Sequence, residues 1–353
     1  MNDCSFYSVS RINLQKKISE IFGEEKSFHT AKKLYHEVYK EQFLSKNYSF
    51  LGISKEIQKW ITSQLSFENS VEIQDYFISR EDSSVKFIMK LKKDSLLVES
   101  VLIPEPKRLT LCVSTQVGCA QGCRFCQTGR MGLLRSLTCD EIVGQLVAVE
   151  HWKNAHNYKS KITNVVYMGM GEPLDNLENV MQSANIFCDP QSFFLSHNKV
   201  TVSTVGLMPQ LDKILYETPI CIALSLHSPF EEERTRVMPV NAKHSLTSVI
   251  ACLKKHLESG TRKSFLVQYT LIRGVNDSVK HAEALIELLS HYNFKINLIP
   301  LNEHEGTSYR RPDLGRVYEF QQILKNAGLV ATIRLSKGRD IAAACGQLIK
   351  GKK

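Results

Sequence analysis

Three cysteines stand within eight residues in the run Cys119-Ala-Gln-Gly-Cys123-Arg-Phe-Cys126, a density that marks ligands rather than packing residues. An iron-sulfur cubane takes four cysteine ligands, so a trio on one loop leaves one iron open unless a remote residue supplies the fourth. A structural zinc site is the other reading, but tetrahedral zinc favours two pairs of ligands, and the sequence offers no second pair. Further along, Met168-Gly169-Met170-Gly171-Glu172-Pro173 sets a carboxylate beside glycines that permit close backbone approach, an arrangement able to accept charge-assisted hydrogen bonds from an ammonium group. Turns alone explain most Gly-x-Gly runs; a place after a strand and downstream of the cysteine trio gives this one weight. Two isolated cysteines, Cys112 and Cys345, read on their own as small hydrophobes, as do Cys4, Cys139, Cys188, Cys221 and Cys252.

Such groups must be held by a scaffold, and the pattern supplies one. From Leu109 to about Ser336, short β-branched runs alternate with amphipathic segments, the signature of βα units building a parallel sheet. The spacing predicts strands over Leu109–Ser114, Ile162–Met168, Lys199–Val205, Ile220–Leu226, Ser264–Ile272, Ile296–Pro300 and Val330–Leu335. Thr138 and Glu141 form a capping-box pattern before a helix carrying Ile142, Leu146 and Val149. Six or seven units are too few for an eight-fold barrel, so the expected fold is α/β with an open or partial (βα) barrel and active residues at the C-terminal strand ends. Residues 1–65 read as a small helical domain with apolar faces from Leu34, Val38, Phe43, Ile57, Trp60 and Ile61. Residues 66–104 read as a β-rich linker of antiparallel strands turned at EDSS and KKDS, and 105–353 as the core domain.

Composition narrows the class. The chain has 353 residues, 43% hydrophobic and 23% charged, with a formal net charge of +9, which fits a folded globular protein rather than a disordered one. No run approaches the roughly 18 apolar residues of a membrane span and the first residues have no apolar leader core, so the expectation is a cytoplasmic protein with no membrane partner. Ten cysteines spread along a long chain suit a reducing compartment. The stretch Val330–Lys353 holds six Lys/Arg against one Asp, an electropositive end compatible with a phosphate-rich partner.

The CxxxCxxC loop after the first core strand resembles the radical S-adenosylmethionine superfamily. That resemblance implies a partial (βα)6-type radical SAM barrel and a 4Fe-4S cluster on Cys119, Cys123 and Cys126. Its open iron would be chelated by the amino and carboxylate groups of S-adenosylmethionine, whose cleavage yields a 5′-deoxyadenosyl radical. Gly171 and Glu172 match the element that receives the cofactor's amino group. Ser203, Ser225, Leu226, His227 and Asn302 match further cofactor-contacting positions. Within the superfamily, Cys112 in LTLCVSTQVGC and the stretch Arg339-Asp340-Ile341-Ala342-Ala343-Ala344-Cys345-Gly346-Gln347-Leu348 resemble the RlmN/Cfr RNA methyltransferases. This similarity runs from about residue 85 to 350 and is weaker in the helical N-terminal part. Ala342 departs from the family, which usually has aspartate there.

An adenine ring carbon is electron-poor and does not attack a sulfonium methyl. The family implies that one S-adenosylmethionine methylates Cys345 and that a second, as a radical source, removes hydrogen from the S-methyl group, two per turnover. The methylene carbon then bonds to adenine, Glu99 accepts the ring proton, and Cys112 releases the RNA by forming a disulfide with Cys345. Lys337 and Arg339 stand close enough in sequence to favour a thiolate at Cys345. An electron donor must reduce the cluster, and the enzyme is expected to act as a monomer.

The adenine must leave its stack to reach such a site. The resemblance implies carbon 2 of an adenosine in the peptidyl-transferase region of 23S rRNA, with an anticodon-loop adenosine of tRNA as second substrate. Carbon 8 of the ribosomal adenosine, the Cfr outcome, is the alternative; Pro173 and INLIPLN favour carbon 2. Candidate phosphate-binding lysines are Lys16, Lys17, Lys32, Lys33, Lys40, Lys350, Lys352 and Lys353. A radical enzyme acting on a small molecule or protein, which has no need of Cys112 and Cys345, and a non-catalytic RNA-binding or electron-transfer protein are the competing classes.

Overall fold

The computed structural model describes residues 4–41, 50 and 52–348, so Phe43 and the lysines at 350, 352 and 353 lie outside the described residues. Ten strands form one sheet: β1 (Val71–Ile78), β2 (Val85–Leu91), β3 (Leu97–Glu105), β4 (Arg108–Val113), β5 (Asn164–Tyr167), β6 (Val200–Thr204), β7 (Cys221–Ser225), β8 (Phe265–Leu271), β9 (Phe294–Pro300) and β10 (Val330–Ile333). Each strand lies beside its predecessor in sequence. Strands β4 to β10 are parallel, as the βα pattern predicts, and every predicted core strand is present within two residues of its expected bounds. Right-handed crossovers between consecutive, adjacent parallel strands put the connecting helices on one face, which leaves the other face and the C-terminal strand ends to line a site. The sheet is open, with β1 and β10 at its edges.

The antiparallel strands β1, β2 and β3 continue this sheet directly through β4. Their register creates a row across four strands, Lys86 opposite Val101, Val101 opposite Cys112, and Cys112 opposite Val166. Residues directly opposite share a face, so Lys86 and Cys112 look toward the same side of the sheet.

The helix Cys139–Ala155 starts where the capping pattern predicts: the Thr138 N–H donates to Glu141 Oε2 at 3.0 Å. Glu141 also accepts from Arg135 at 2.7 Å. In the N-terminal part, the helices Arg11–Phe22, Glu24–His36 and Lys55–Gln64 bury Leu34, Ile57 and Ile61, with Val38 buried just beyond the second, while Trp60 is only half-buried. This part is joined to the core by Arg11, whose Nε lies 2.9 Å from Asp189 Oδ2. Among the described residues no helix is long and apolar enough to cross a membrane.

Candidate active site

The cysteine trio sits in a loop closed at its base by a short hairpin, Gln116–Cys119 against Gly132–Ser136, in which Cys119 pairs with Gly132. Gly118 is obligatory here: its φ is +81°, and a Cβ would fall on the Gly132 carbonyl oxygen. The Cys126 N–H donates to the Cys123 carbonyl at 3.1 Å, which turns the second and third thiols toward a common space. Cys119, Cys123 and Cys126 line one cavity of about 150 Å³. Burial raises all three thiols, Cys119 to about 12, so without a bound metal they stand protonated.

The C-terminal ends of the parallel strands form the rest of this cavity. Gly171 and Glu172 follow β5, Ser203 lies in β6, Ser225 and His227 end β7, and Asn302 follows β9; all six border the cavity. Gly171 has φ +99°, and a Cβ would meet the Gln116 side chain at 2.5 Å. The same Gln116 accepts the Glu172 N–H at 2.8 Å and so fixes the turn. The Glu172 carboxylate accepts the Leu174 and Val205 N–H groups, both at 3.0 Å. Burial nonetheless lifts its pKa to about 7, against the pull of those hydrogen bonds. Ser203 Oγ donates to Gln268 Oε1 at 3.1 Å.

His227 is held at φ +60° with its ring edge-on to Phe125, centroids 4.9 Å apart. Its Nδ1 accepts the Thr270 N–H at 2.9 Å; burial, helped by Arg234, lowers its pKa to about 3, so the ring is neutral with its proton on Nε2. Leu226 is buried behind the cavity and contributes backbone, its N–H donating to the Gln268 carbonyl and its carbonyl accepting from Arg234 Nε, each at 3.0 Å.

Sequence reading missed Arg234. Its guanidinium is fully buried and donates to the carbonyls of Leu226, Val205 and Ser225 and to Asn241 Oδ1, tying the ends of β6 and β7 together beneath the cysteine loop. The run EEERTR reads as a solvated charged helix, and nothing local distinguishes the arginine that turns inward.

Cys112, in β4, and Cys345, in the C-terminal loop, line a second cavity of about 40 Å³ together with Val101, Met168, Arg334 and Lys337. Cys345 borders the first cavity as well. Cys112 is buried, Cys345 exposed, and all ten cysteines are free thiols. Burial pushes Cys112 up to about 12, the neighbouring Cys345 adds to this, and Arg334 opposes it. Of Lys337 and Arg339, the two basic residues that the sequence sets near Cys345, Lys337 borders this cavity and Arg339 is not among its lining residues, while Arg334 lines it without any local sequence sign.

The Cys345 loop is docked by groups from distant segments. Asn302 Nδ2 donates to the Cys345 carbonyl at 3.1 Å, and Gln127 N–H to the Gly346 carbonyl at 2.8 Å. Thr128 Oγ1 donates to the Leu348 carbonyl at 2.7 Å. On the other side, Asp340 accepts from Ser79 Oγ at 2.7 Å and from the Arg80 N–H at 3.0 Å, while Asp82 accepts the Gly338 N–H at 2.8 Å. Ala342, where the family usually has aspartate, adopts φ +50° and gives its carbonyl to Lys86 Nζ at 3.3 Å; Asp340 and Asp82 supply the carboxylate anchors instead.

Glu99 in β3 is fully buried, 3.7 Å from Lys86 Nζ. Strand alternation puts it on the face of Val101 and Ile103, which line the Cys112 cavity. The residues present fit an iron-sulfur cluster with S-adenosylmethionine: three soft sulfur donors converge, and the buried Asn302 Oδ1 at the cavity wall has no partner within the protein.

Residues 113–289 match the Radical SAM superfamily. A radical SAM methyltransferase from Sphaerobacter thermophilus has the same fold, with a TM-score of 0.87 at 33% identity, covering 98% of this chain and 99% of that one. Fold and triple-cysteine loop thus define a radical S-adenosylmethionine enzyme, a class that works with an iron-sulfur cluster. Proteins named dual-specificity RNA methyltransferase RlmN are similar along most of the chain. The Geotalea uraniireducens protein is 38% identical over 349 residues, 98% of this chain and 96% of its own. The Campylobacter jejuni protein is 36% identical over 353 residues, 96% and 97% of the two chains. The Syntrophobacter fumaroxidans protein is 40% identical over 290 residues, 81% and 83%. The chain belongs to the RlmN family of radical S-adenosylmethionine methyltransferases.

Proposed function

We propose that this enzyme methylates carbon 2 of an adenosine in RNA, in the peptidyl-transferase region of 23S rRNA and in a tRNA anticodon loop, through a methyl group carried on Cys345. The observation that carries this reading is the position of Cys345 on the border of both cavities, one shared with the cysteine trio and one with Cys112. A thiol so placed can take up a group on one side and be resolved on the other. The relatives bearing the name RlmN support carbon 2 over the Cfr outcome.

In this reading Cys119, Cys123 and Cys126 hold the cluster, and Gly171, Glu172, Ser203, Ser225, Leu226, His227 and Asn302 hold S-adenosylmethionine. When bound, these groups supply a methyl and a hydrogen-abstracting radical, at two S-adenosylmethionine per turnover. The Cys345 sulfur takes the methyl. After that methyl gives up one hydrogen atom to the radical, its carbon bonds to the adenine ring carbon, which then loses one proton to Glu99 and one electron that the oxidised cluster, when bound, would take back. Cys112 Sγ attacks Cys345 Sγ: a disulfide forms, the Cys345 sulfur–carbon bond breaks, and its electron pair stays on the RNA methylene, which takes a proton to become methyl. Burial holds Cys112 as a thiol, so this attack requires loss of its proton. A reductant of two electrons then restores the thiols.

Residues 1–65 serve as an accessory RNA-binding unit with Lys16, Lys17, Lys32 and Lys33 exposed on it, 66–104 as the connecting β-segment and 105–353 as the core. The enzyme works as a monomer in the cytoplasm with an electron donor. The test is mass mapping of RNA after anaerobic reaction. Methyl at carbon 2 is expected; methyl at carbon 8 alone overturns the regiochemistry, and unmodified RNA overturns the substrate class.

A further inference from the structure

A buried lysine on the antiparallel strands joins the two halves of this chemistry. Lys86 lies in β2 directly opposite Val101, in the row that continues to Cys112. Its side chain is 11% exposed. The ammonium sits 3.7 Å from Glu99 Oε1 and 3.3 Å from the carbonyl of Ala342, three residues before Cys345. The ring of Phe77, its cross-strand partner on β1, covers it at 5.6 Å.

A fully buried carboxylate needs a compensating charge, and an ion pair along the sheet would meet that need without touching the loop. This lysine does more: one of its donors leaves the sheet to hold the main chain of the segment that carries the methyl-accepting thiol. An ammonium has three donors and no acceptor, so it can hold both oxygens at once only while the loop is docked. Undocking the loop removes one of its partners and frees the ammonium to move from the carboxylate.

We propose that Lys86 is a positioning residue that bridges Glu99 to the Cys345 loop, setting the proton acceptor in place when the methyl-bearing thiol is in place. The inference rests on the reading of Glu99 as acceptor of the ring proton. It assigns Lys86 to proton removal and release rather than to methyl uptake by Cys345. The step it governs moves one proton from the adenine ring carbon of the RNA–Cys345 adduct to the Glu99 carboxylate, leaving the carbon–sulfur bond for Cys112 to break.

The test uses the full chain reconstituted without oxygen and an RNA stem-loop bearing the target adenosine, with Lys86→Met, Lys86→Arg and Glu99→Gln compared to the parent. Denaturing gels separate the covalent RNA–protein adduct from released RNA, and amide exchange of residues 338–344 is followed in the protein alone. Lys86→Met is expected to accumulate the adduct, with release about tenfold to a hundredfold slower, the cost of misplacing a reacting group by about 1 Å. It should also speed exchange at 340–344 while leaving the amides of β4 to β9 protected. Lys86→Arg, which keeps charge and reach, should restore both. If Glu99→Gln stalls at the adduct and Lys86→Met does not, the bridge falls and the assignment of Glu99 stands. If Glu99→Gln releases RNA at the parent rate, that assignment falls and the proposal with it. Unchanged exchange in Lys86→Met also overturns the bridge.

Discussion

The two cysteine sites are built by opposite means. The trio Cys119, Cys123 and Cys126 sits on one short loop, clamped by a hairpin and backed by the buried Arg234, so its geometry is local and its support is the core itself. Cys112 and Cys345 come from opposite ends of the core and share a cavity because groups from distant segments, among them Ser79, Asp82, Lys86, Gln127, Thr128 and Asn302, hold the C-terminal loop by side-chain or single backbone bonds. A loop proposed to hold a cluster through many turnovers gains from rigidity. On the proposed route Cys345 serves both cavities that it borders, and a loop held by many separate bonds suits that role.

That contrast can be broken first at the thiols. Cys345→Ala should abolish methyl transfer outright, whereas Cys112→Ala should leave the RNA joined to protein as an adduct visible on denaturing gels; equal phenotypes would erase the distinction between carrier and resolver. On the rigid side, Arg234→Met should cost about 3 kcal/mol in chemical denaturation, because three buried carbonyls lose their donor. A near-neutral result would mean that the cysteine loop needs no such floor.

The smallest expected effect lies in the docked loop. The Ser79 hydroxyl, with help from the Arg80 N–H, holds the Asp340 carboxyl below its ordinary value of 3.8. A carboxyl lowered in the docked state supports docking fully above the undocked value and loses that support as pH falls through the docked one. The Arg80 amide resonance should therefore shift in acid, below about pH 4, and Asp340→Asn should remove the transition. A shift that survives in Asp340→Asn assigns the effect to another group.

Much of the scaffold was legible because period-2 alternation and β-branched runs reflect burial on a sheet, and burial is written residue by residue. The trio was legible for the same reason of locality. Cys345 was not: in an Ala-rich run a lone thiol carries no local sign of its partner in β4, and only resemblance singled it out. The EDSS turn reads as punctuation between strands, yet Ser79 and Asp82 around it anchor a loop some 250 residues away, at Asp340 and Gly338. Lys86, the buried Arg234 and the positive φ of His227 share this character, since each is explained by partners brought near only by the fold.

On the proposed route one methyl group rests on Cys345 before it reaches RNA. Anaerobic incubation with S-adenosylmethionine labelled in the methyl, followed by tandem mass spectrometry of the Cys345 peptide, tests it directly. Label is expected on the Cys345 sulfur, chasing into carbon 2 of adenine when RNA is added. Labelled RNA formed while the Cys345 sulfur never carries label would contradict it.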